Sequence, residues 1–142
     1  MSRGGPTLVD AGPLVALIHQ GDRHHQACCE ALRSLRGPML TVWPSFTEAM
    51  YLLGFSWRAQ DALWQFLHRQ ALRLVPLDER DEPRMRALMS KYRDLPMDLA
   101  DAGLVRAAER ERIGSVFTVD QSHFRIYRPR GLDSFELLPE AL

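Results

Sequence analysis

The sequence predicts a three-layer α/β/α domain built on a central, mainly parallel sheet of about five strands. Two observations carry this. Short apolar runs alternate with longer segments whose apolar residues recur at helical spacing, the pattern of successive strand–helix units. The 142 residues suit one domain with a proper core, and a hydrophobic content of 46% supplies its apolar material.

Residues 6–9 form the first strand, followed at once by Asp10. Gly12-Pro13 opens a helix, since proline suits a first helical turn, and Leu14, Ala16, Leu17 and Ile18 give it an apolar side. Gly21-Asp22 breaks the chain, with Asp22 the expected N-cap of a helix over 23–35. After the Gly37-Pro38 turn, residues 39–43 read as the second strand. Residues 44–55 then read as a helix with Phe46, Ala49, Met50 and Leu53 in its apolar stripe. A further helix over 57–70 carries Ala59, Leu63, Phe66 and Leu67, with Trp57 and Trp64 adding bulk. Residues 72–77 are the third strand. The acids and arginine at 78–82 read as a solvated helix start, leading into a helix over 84–92 with Met85, Leu88 and Met89 inward.

The rest of the chain is organised around residues 95–120. Leu99, Ala102, Val105, Ala107 and Ala108 give a helix a wide apolar surface, with Arg106, Glu109 and Arg110 on the solvent side. Ile113 and Gly114 are expected to close it, because glycine accepts a left-handed cap. Residues 115–119 are the fourth strand, buried on both faces, with Asp120 just past its end. Residues 121–131 read as a loop in which Phe124 and Tyr127 interleave with Arg125, Arg128 and Arg130; residues 134–138 are the last strand. Neither a repeat nor a linker divides the chain, so one domain over 1–142 is expected.

The 18 basic and 18 acidic residues cancel, which argues against purely electrostatic nucleic-acid binding while leaving room for a local patch. Every basic residue except Lys91 is arginine, a residue type suited to phosphate. Cys28 and Cys29 are adjacent and give no disulfide framework, which fits a reducing compartment. No apolar run is long enough for a membrane span and no signal-peptide pattern is read, so a cytoplasmic location is expected.

Chemistry enters through the acids. Ligands of open α/β sheets bind outside the carboxyl ends of the strands, where Asp10 and Asp120 fall. Asp98 and Asp101 share the first turn of their helix, and Glu48 lies one turn beyond the second strand. Caps and turns use such acids too, but their recurrence at one sheet edge predicts a shared crevice. Carboxylates crowded together repel and need a cation, and an all-oxygen set suits Mg²⁺ or Mn²⁺. Such an ion activates water for phosphodiester hydrolysis. His24 and His25 point about 100° apart on a helix and are set aside as metal ligands, and the scattered His19, His68 and His123 are set aside with them. The Arg/aromatic segment suits single-stranded or looped RNA, which offers phosphates and stackable bases; Arg125 and Arg128 are the candidate contacts.

LVDAGPLVALI, the Asp22/His24/His25 helix start, PSFTEA, DLADAGLVRAAE and VFTVDQSHF together resemble a PIN domain, and more narrowly the VapC-type toxins of bacterial type II toxin–antitoxin pairs. The likeness runs over residues 7–124. It implies a metal-dependent endoribonuclease cutting tRNA or rRNA loops, a small cognate antitoxin that blocks the site, and a homodimer. Carried over by position, Asp10 and Asp101 match the principal metal-binding acids, while Glu48 and Asp120 match the second acidic pair. Asp98 is a further ligand or a helix cap. Thr47 and Thr118, each near a site acid, match hydrogen-bonding supports. The alternative is a catalytically silent RNA-binding or partner-binding module of the same fold. A receiver-like phosphoacceptor domain would want a lysine after a late strand, whereas the sole lysine, Lys91, lies on a predicted helix.

Overall fold

The computed structural model describes residues 4–140 and 142. Five short strands form one sheet in the order β3-β2-β1-β4-β5: β1 Thr7–Val9, β2 Met39–Thr41, β3 Leu72–Leu74, β4 Ser115–Phe117 and β5 Glu136–Leu138. All four pairings are parallel, with Leu8 opposite both Leu40 and Val116, and Val116 opposite Leu137. The expected three-layer, five-strand architecture is therefore observed, and the sheet is parallel throughout.

Helices α1 (Ala11–Ile18), α2 (His25–Ser34), α3 (Trp43–Leu52) and α4 (Trp57–His68) come from the first half of the chain, and α5 (Glu82–Lys91), α6 (Leu99–Glu111) and α7 (Gln121–Ile126) from the second. Alternate strand residues face opposite layers. Leu8 and Val116 join the core cluster that includes Leu88, Leu104, Val105, Phe124 and Tyr127. Their neighbours Val9 and Phe117 join the other cluster, with Leu14, Cys28, Phe46 and Leu63. Both faces of the central strands are thus sealed, which is why those strands read as continuous apolar runs.

Several expectations need correction. β2 and β4 stop two residues earlier than their apolar runs, and β3 stops three residues earlier. Val42 is already the extended N-cap of α3, and Trp43, expected inside a strand, is a half-exposed first-turn residue. Asp22 does not cap α2; it accepts from His24 N at 2.8 Å, one step outside the helix, and His24 is the cap. Gly114 does not take the left-handed position closing α6. Arg112 does, at φ 60°, where Ile113 N bonds back to the carbonyl of Ala108. Residues 121–131 are not all loop. Gln121, Phe124 and Tyr127 recur every three residues and turn inward, and this spacing builds α7 beneath the arginines. A parallel β4–β5 pair requires such a crossover.

Asp81 also departs from its expected solvated setting. It is 1% exposed and takes Arg106 Nε and Arg110 Nη1 on its two oxygens, each at 2.8 Å. Burial opposes its charge, but these bonds and Asp78 N outweigh that and hold its carboxyl below the usual range. Glu109, expected on the solvent side, is likewise buried. It receives Arg84 in a two-pronged pair at 2.7 and 2.8 Å and the backbone N of Arg130 at 2.7 Å. The two pairs fix α5 and the segment after α7 against α6. Gly103 lets α6 come close: an added Cβ would lie 3.1 Å from Leu77 and 3.3 Å from Val42.

Candidate metal and RNA site

β1 and β4 are paired neighbours, so their carboxyl ends bring Asp10 and Asp120 together. Asp10 caps α1: its Oδ1 accepts from Ala11 N at 2.8 Å. Its Oδ2 accepts from the hydroxyl of Thr118 at 3.0 Å, and that same Thr118 oxygen accepts from Asp120 N at 3.0 Å. One buried hydroxyl therefore links the two strand-end acids. Gly12, in the first turn of α1, allows this closeness, since an added Cβ would meet Val119 Cγ2 at 2.5 Å.

The first turn of α6 brings the next pair. Asp98 is its N-cap, accepting from Asp101 N at 2.8 Å. Asp101, 8% exposed, accepts the Tyr127 hydroxyl on Oδ2 at 2.7 Å. Glu48 stands exposed on α3, and its carboxyl is raised above the ordinary range by partial burial and then by Asp10, Asp98 and Asp120. Asp10 is raised by burial, against its bonds from Ala11 and Thr118, with Asp98 and Asp120 adding to it. Asp101 is pushed up to about 7, first by burial and also by Asp10, Asp98 and Asp120, against the Tyr127 bond. These mutual influences place all five acids in one electrostatic neighbourhood.

The two expected threonine supports differ. Thr118 is fully buried and bonded as described, whereas Thr47 is exposed and its hydroxyl makes no hydrogen bond among the described residues. Arg125 on α7 and Arg128 just beyond it are exposed, with Arg125 Nη2 donating to Gln121 Oε1 at 3.1 Å. Arg128 turns back on the helix end, donating from Nη1 to the carbonyls of Ile126 and Tyr127 at 3.3 and 3.1 Å. The aromatic half of the expected RNA patch is absent from the surface: Phe124 and Tyr127 are fully buried, unavailable for base stacking.

Two contributors to the site escape sequence reasoning. Tyr127 reaches Asp101 from 26 positions away, and its aromatic character alone signalled a loop anchor. His123, set aside above, stands one helical turn from Asp120, with Nδ1 3.1 Å from Asp120 Oδ2. One ligand atom each from Asp101, Asp120 and His123 lie within 4.8 Å of one another. That compactness and the mostly carboxylate donor set fit a divalent cation. The signal for His123 was the i, i+3 spacing to a strand-end acid.

A parallel sheet with acids converging at its carboxyl edge defines a class, and the chain belongs to the PIN domain family, whose model matches residues 7–129. The chain is 25% identical over 134 residues to Ribonuclease VapC26 of Mycobacterium tuberculosis, covering 93% of this chain and 99% of that protein. Its fold is similar to that of M. tuberculosis VapC20, described as a Sarcin-Ricin loop cleaving toxin (TM-score 0.74, 19% identity, 82% of this chain and 93% of that one). A toxin–antitoxin complex from Klebsiella pneumoniae aligns at TM-score 0.62 and 18% identity, over 83% of this chain and 89% of that one. VapBC2 from Rickettsia felis, bound to a DNA fragment from the pair's promoter, aligns at TM-score 0.64 and 12% identity, over 93% and 98%. At these identities the structural likenesses establish the fold. No helix among the described residues is long and apolar enough to cross a membrane.

Proposed function

We propose that this protein is a Mg²⁺- or Mn²⁺-dependent endoribonuclease, the toxin component of a type II toxin–antitoxin system, hydrolysing phosphodiester bonds in RNA, with tRNA or rRNA loops as the substrate class. The observation that carries this reading is the convergence of Asp10, Asp101 and Asp120, with Asp98 and Glu48 beside them, at one sheet edge of a PIN domain. Asp10, Asp101 and Asp120 would hold the ion, with Asp98 as cap and reserve ligand. When bound, a divalent ion supplies a water of lowered pKa and charge stabilisation for the leaving oxygen.

The chain's own residues do the rest. The Thr118 hydroxyl holds Asp10 and fixes the Asp120 backbone, and Tyr127 holds Asp101. Glu48, exposed at the crevice with its carboxyl raised, is the candidate to hold or move a proton at the attacking water. Thr47 is assigned a supporting part beside Glu48. Arg125 and Arg128 give phosphate a positive approach to Asp120. A cognate antitoxin is the proposed partner, in a cytoplasmic homodimer; the relatives that are toxin–antitoxin complexes support the antitoxin. So do Tyr51, Phe55, Trp57 and Trp64, which leave an apolar surface exposed across α3 and α4.

Cleavage of structured RNA with Mg²⁺ or Mn²⁺, and its loss in EDTA, tests the reading. Full activity of demonstrably metal-free protein in EDTA would refute the metal-dependent mechanism. Metal binding without cleavage of any RNA in a tRNA and rRNA panel would favour a silent binding module.

A further inference from the structure

Resting on the reading that these acids hold a divalent ion, we infer that His123 supplies an imidazole ligand to the same ion and biases the site toward first-row transition metals over Mg²⁺. Three observations carry this. First, the compact set of ligand atoms at the sheet edge is Asp101, Asp120 and His123, so its third member is a nitrogen rather than another carboxylate oxygen. Second, His123 Nδ1 stands 3.1 Å from Asp120 Oδ2. Two ligand atoms at right angles around an ion, each about 2.1 Å from it, stand about 3 Å apart, so this spacing already suits neighbouring positions in one shell. Third, α7 makes the placement firm. Gln121, two residues before His123, donates through Nε2 to Thr118 O at 3.2 Å and Pro139 O at 2.8 Å. Phe124, directly after it, is fully buried. The imidazole itself stays partly exposed, with 31% of the side chain open, so an ion can reach it without rearrangement of the core.

The chemical consequence follows from ligand type. Mg²⁺ takes oxygen donors and keeps its waters, whereas imidazole strengthens binding of first-row transition ions. A site of carboxylates alone would separate Mn²⁺ from Mg²⁺ weakly. A site with one imidazole separates them more.

The probes are Mg²⁺ and Mn²⁺ themselves, each titrated into metal-free full-length protein by calorimetry at about pH 8, where an ordinary imidazole is neutral. His123→Ala is expected to weaken Mn²⁺ binding about tenfold or more while changing Mg²⁺ binding about twofold or less. An independent measurement uses the unaltered protein. The electron spin echo of bound Mn²⁺ should show modulation from a directly coordinated ¹⁴N, lost in His123→Gln; unchanged apo melting temperatures for both variants establish that they fold. Equal weakening of both ions, with no nitrogen modulation in the wild type, would overturn the inference and leave His123 acting only through Asp120. If wild-type protein binds neither ion, both this inference and the metal-nuclease reading fall. If it binds both and cleaves RNA but His123→Ala changes neither affinity, this inference alone falls.

Discussion

The hydroxyl of Tyr127 donates to Oδ2 of Asp101 at 2.7 Å, and both side chains are buried. Tyr127 packs edge-on against Tyr92 and Phe124, with ring centroids 5.0 and 5.1 Å away, so its oxygen has little freedom. One oxygen of Asp101 is thereby oriented by the core, so under the proposed function the carboxylate would meet an ion in a fixed pose. Tyr127→Phe keeps the packing and removes only that bond. Leaving a buried acceptor without its donor should cost about 1–3 kcal/mol of apo stability. The metal concentration for half-maximal cleavage should rise about tenfold or more, with little change in RNA affinity. A metal titration of cleavage alongside thermal melting measures both. An unchanged metal requirement would make Tyr127 a packing residue only.

Asp101 also sets a pH dependence. Its folded-state value of about 7 lies above the ordinary carboxyl value of 3.8. The metal-free fold thus holds the Asp101 proton more tightly than the unfolded chain does. Its contribution to stability is therefore fully present below about pH 3.8 and is lost as pH rises through about 7. Asp101→Asn should flatten that decline, leave the apo melting temperature equal or higher near neutral pH, and abolish cleavage. Mg²⁺ or Mn²⁺ should stabilise wild type by mass action and the variant less or not at all. If Asp101 only caps its helix, cleavage and the metal-induced gain survive in the variant, because asparagine caps about as well.

How far the sequence reveals this site depends on the range of each interaction. Asp10 and Asp120 were readable because each follows an apolar run that holds a strand buried on both faces, and a parallel sheet sends such ends to one edge. Asp98 and Asp101 were readable from spacing within a single helical turn. Tyr127 was not, because its partner is 26 residues away and only the tertiary fold joins them. The inward spacing of Gln121, Phe124 and Tyr127 was masked by Arg125 among them and by Arg128 and Arg130 after them, and the segment read as a stacking surface. Asp81 was misread because its charged neighbours in sequence suggested solvent, whereas its partners Arg106 and Arg110 lie on another helix. Local chemistry marks the acids. Which charges are buried is decided by tertiary pairing.

The arginines beside Asp120 lead to a salt test. With the aromatics buried, what Arg125 and Arg128 offer RNA is electrostatic, and phosphate contacts weaken as salt rises. Arg125→Ala with Arg128→Ala should reduce RNA binding strongly at low salt and little at high salt, flattening the logarithmic salt slope by about two phosphate contacts. Because Arg128 also donates to the carbonyls at the end of α7, a small loss in melting temperature should accompany the change. Binding that is unchanged at every salt concentration would return these arginines to a structural role.

The remaining prediction concerns the charge pair farthest from expectation. Asp81 is almost wholly buried and divides its two oxygens between Arg106 and Arg110, whose side chains stay 25% and 29% exposed. Removing the acid leaves two guanidiniums that still reach water, so the penalty should fall near the lower end of the range for a broken buried pair, about 3 kcal/mol. Asp81→Asn keeps the shape but removes the charge and turns one of the two accepting oxygens into a donor; Asp81→Ala removes both acceptors, including the one that Asp78 N uses at 3.0 Å, and should cost more. The pH signature is opposite to that of Asp101. The Asp81 carboxyl lies below its ordinary value, so its stabilisation is present above pH 3.8 and is lost as pH falls through its folded-state value. Thermal melts from about pH 3 to pH 8 should therefore show wild type losing its advantage over Asp81→Asn at the acid end, the window in which Asp101 contributes most. Equal melting of wild type and Asp81→Asn across the whole range would show that the pair orients α6 without stabilising it.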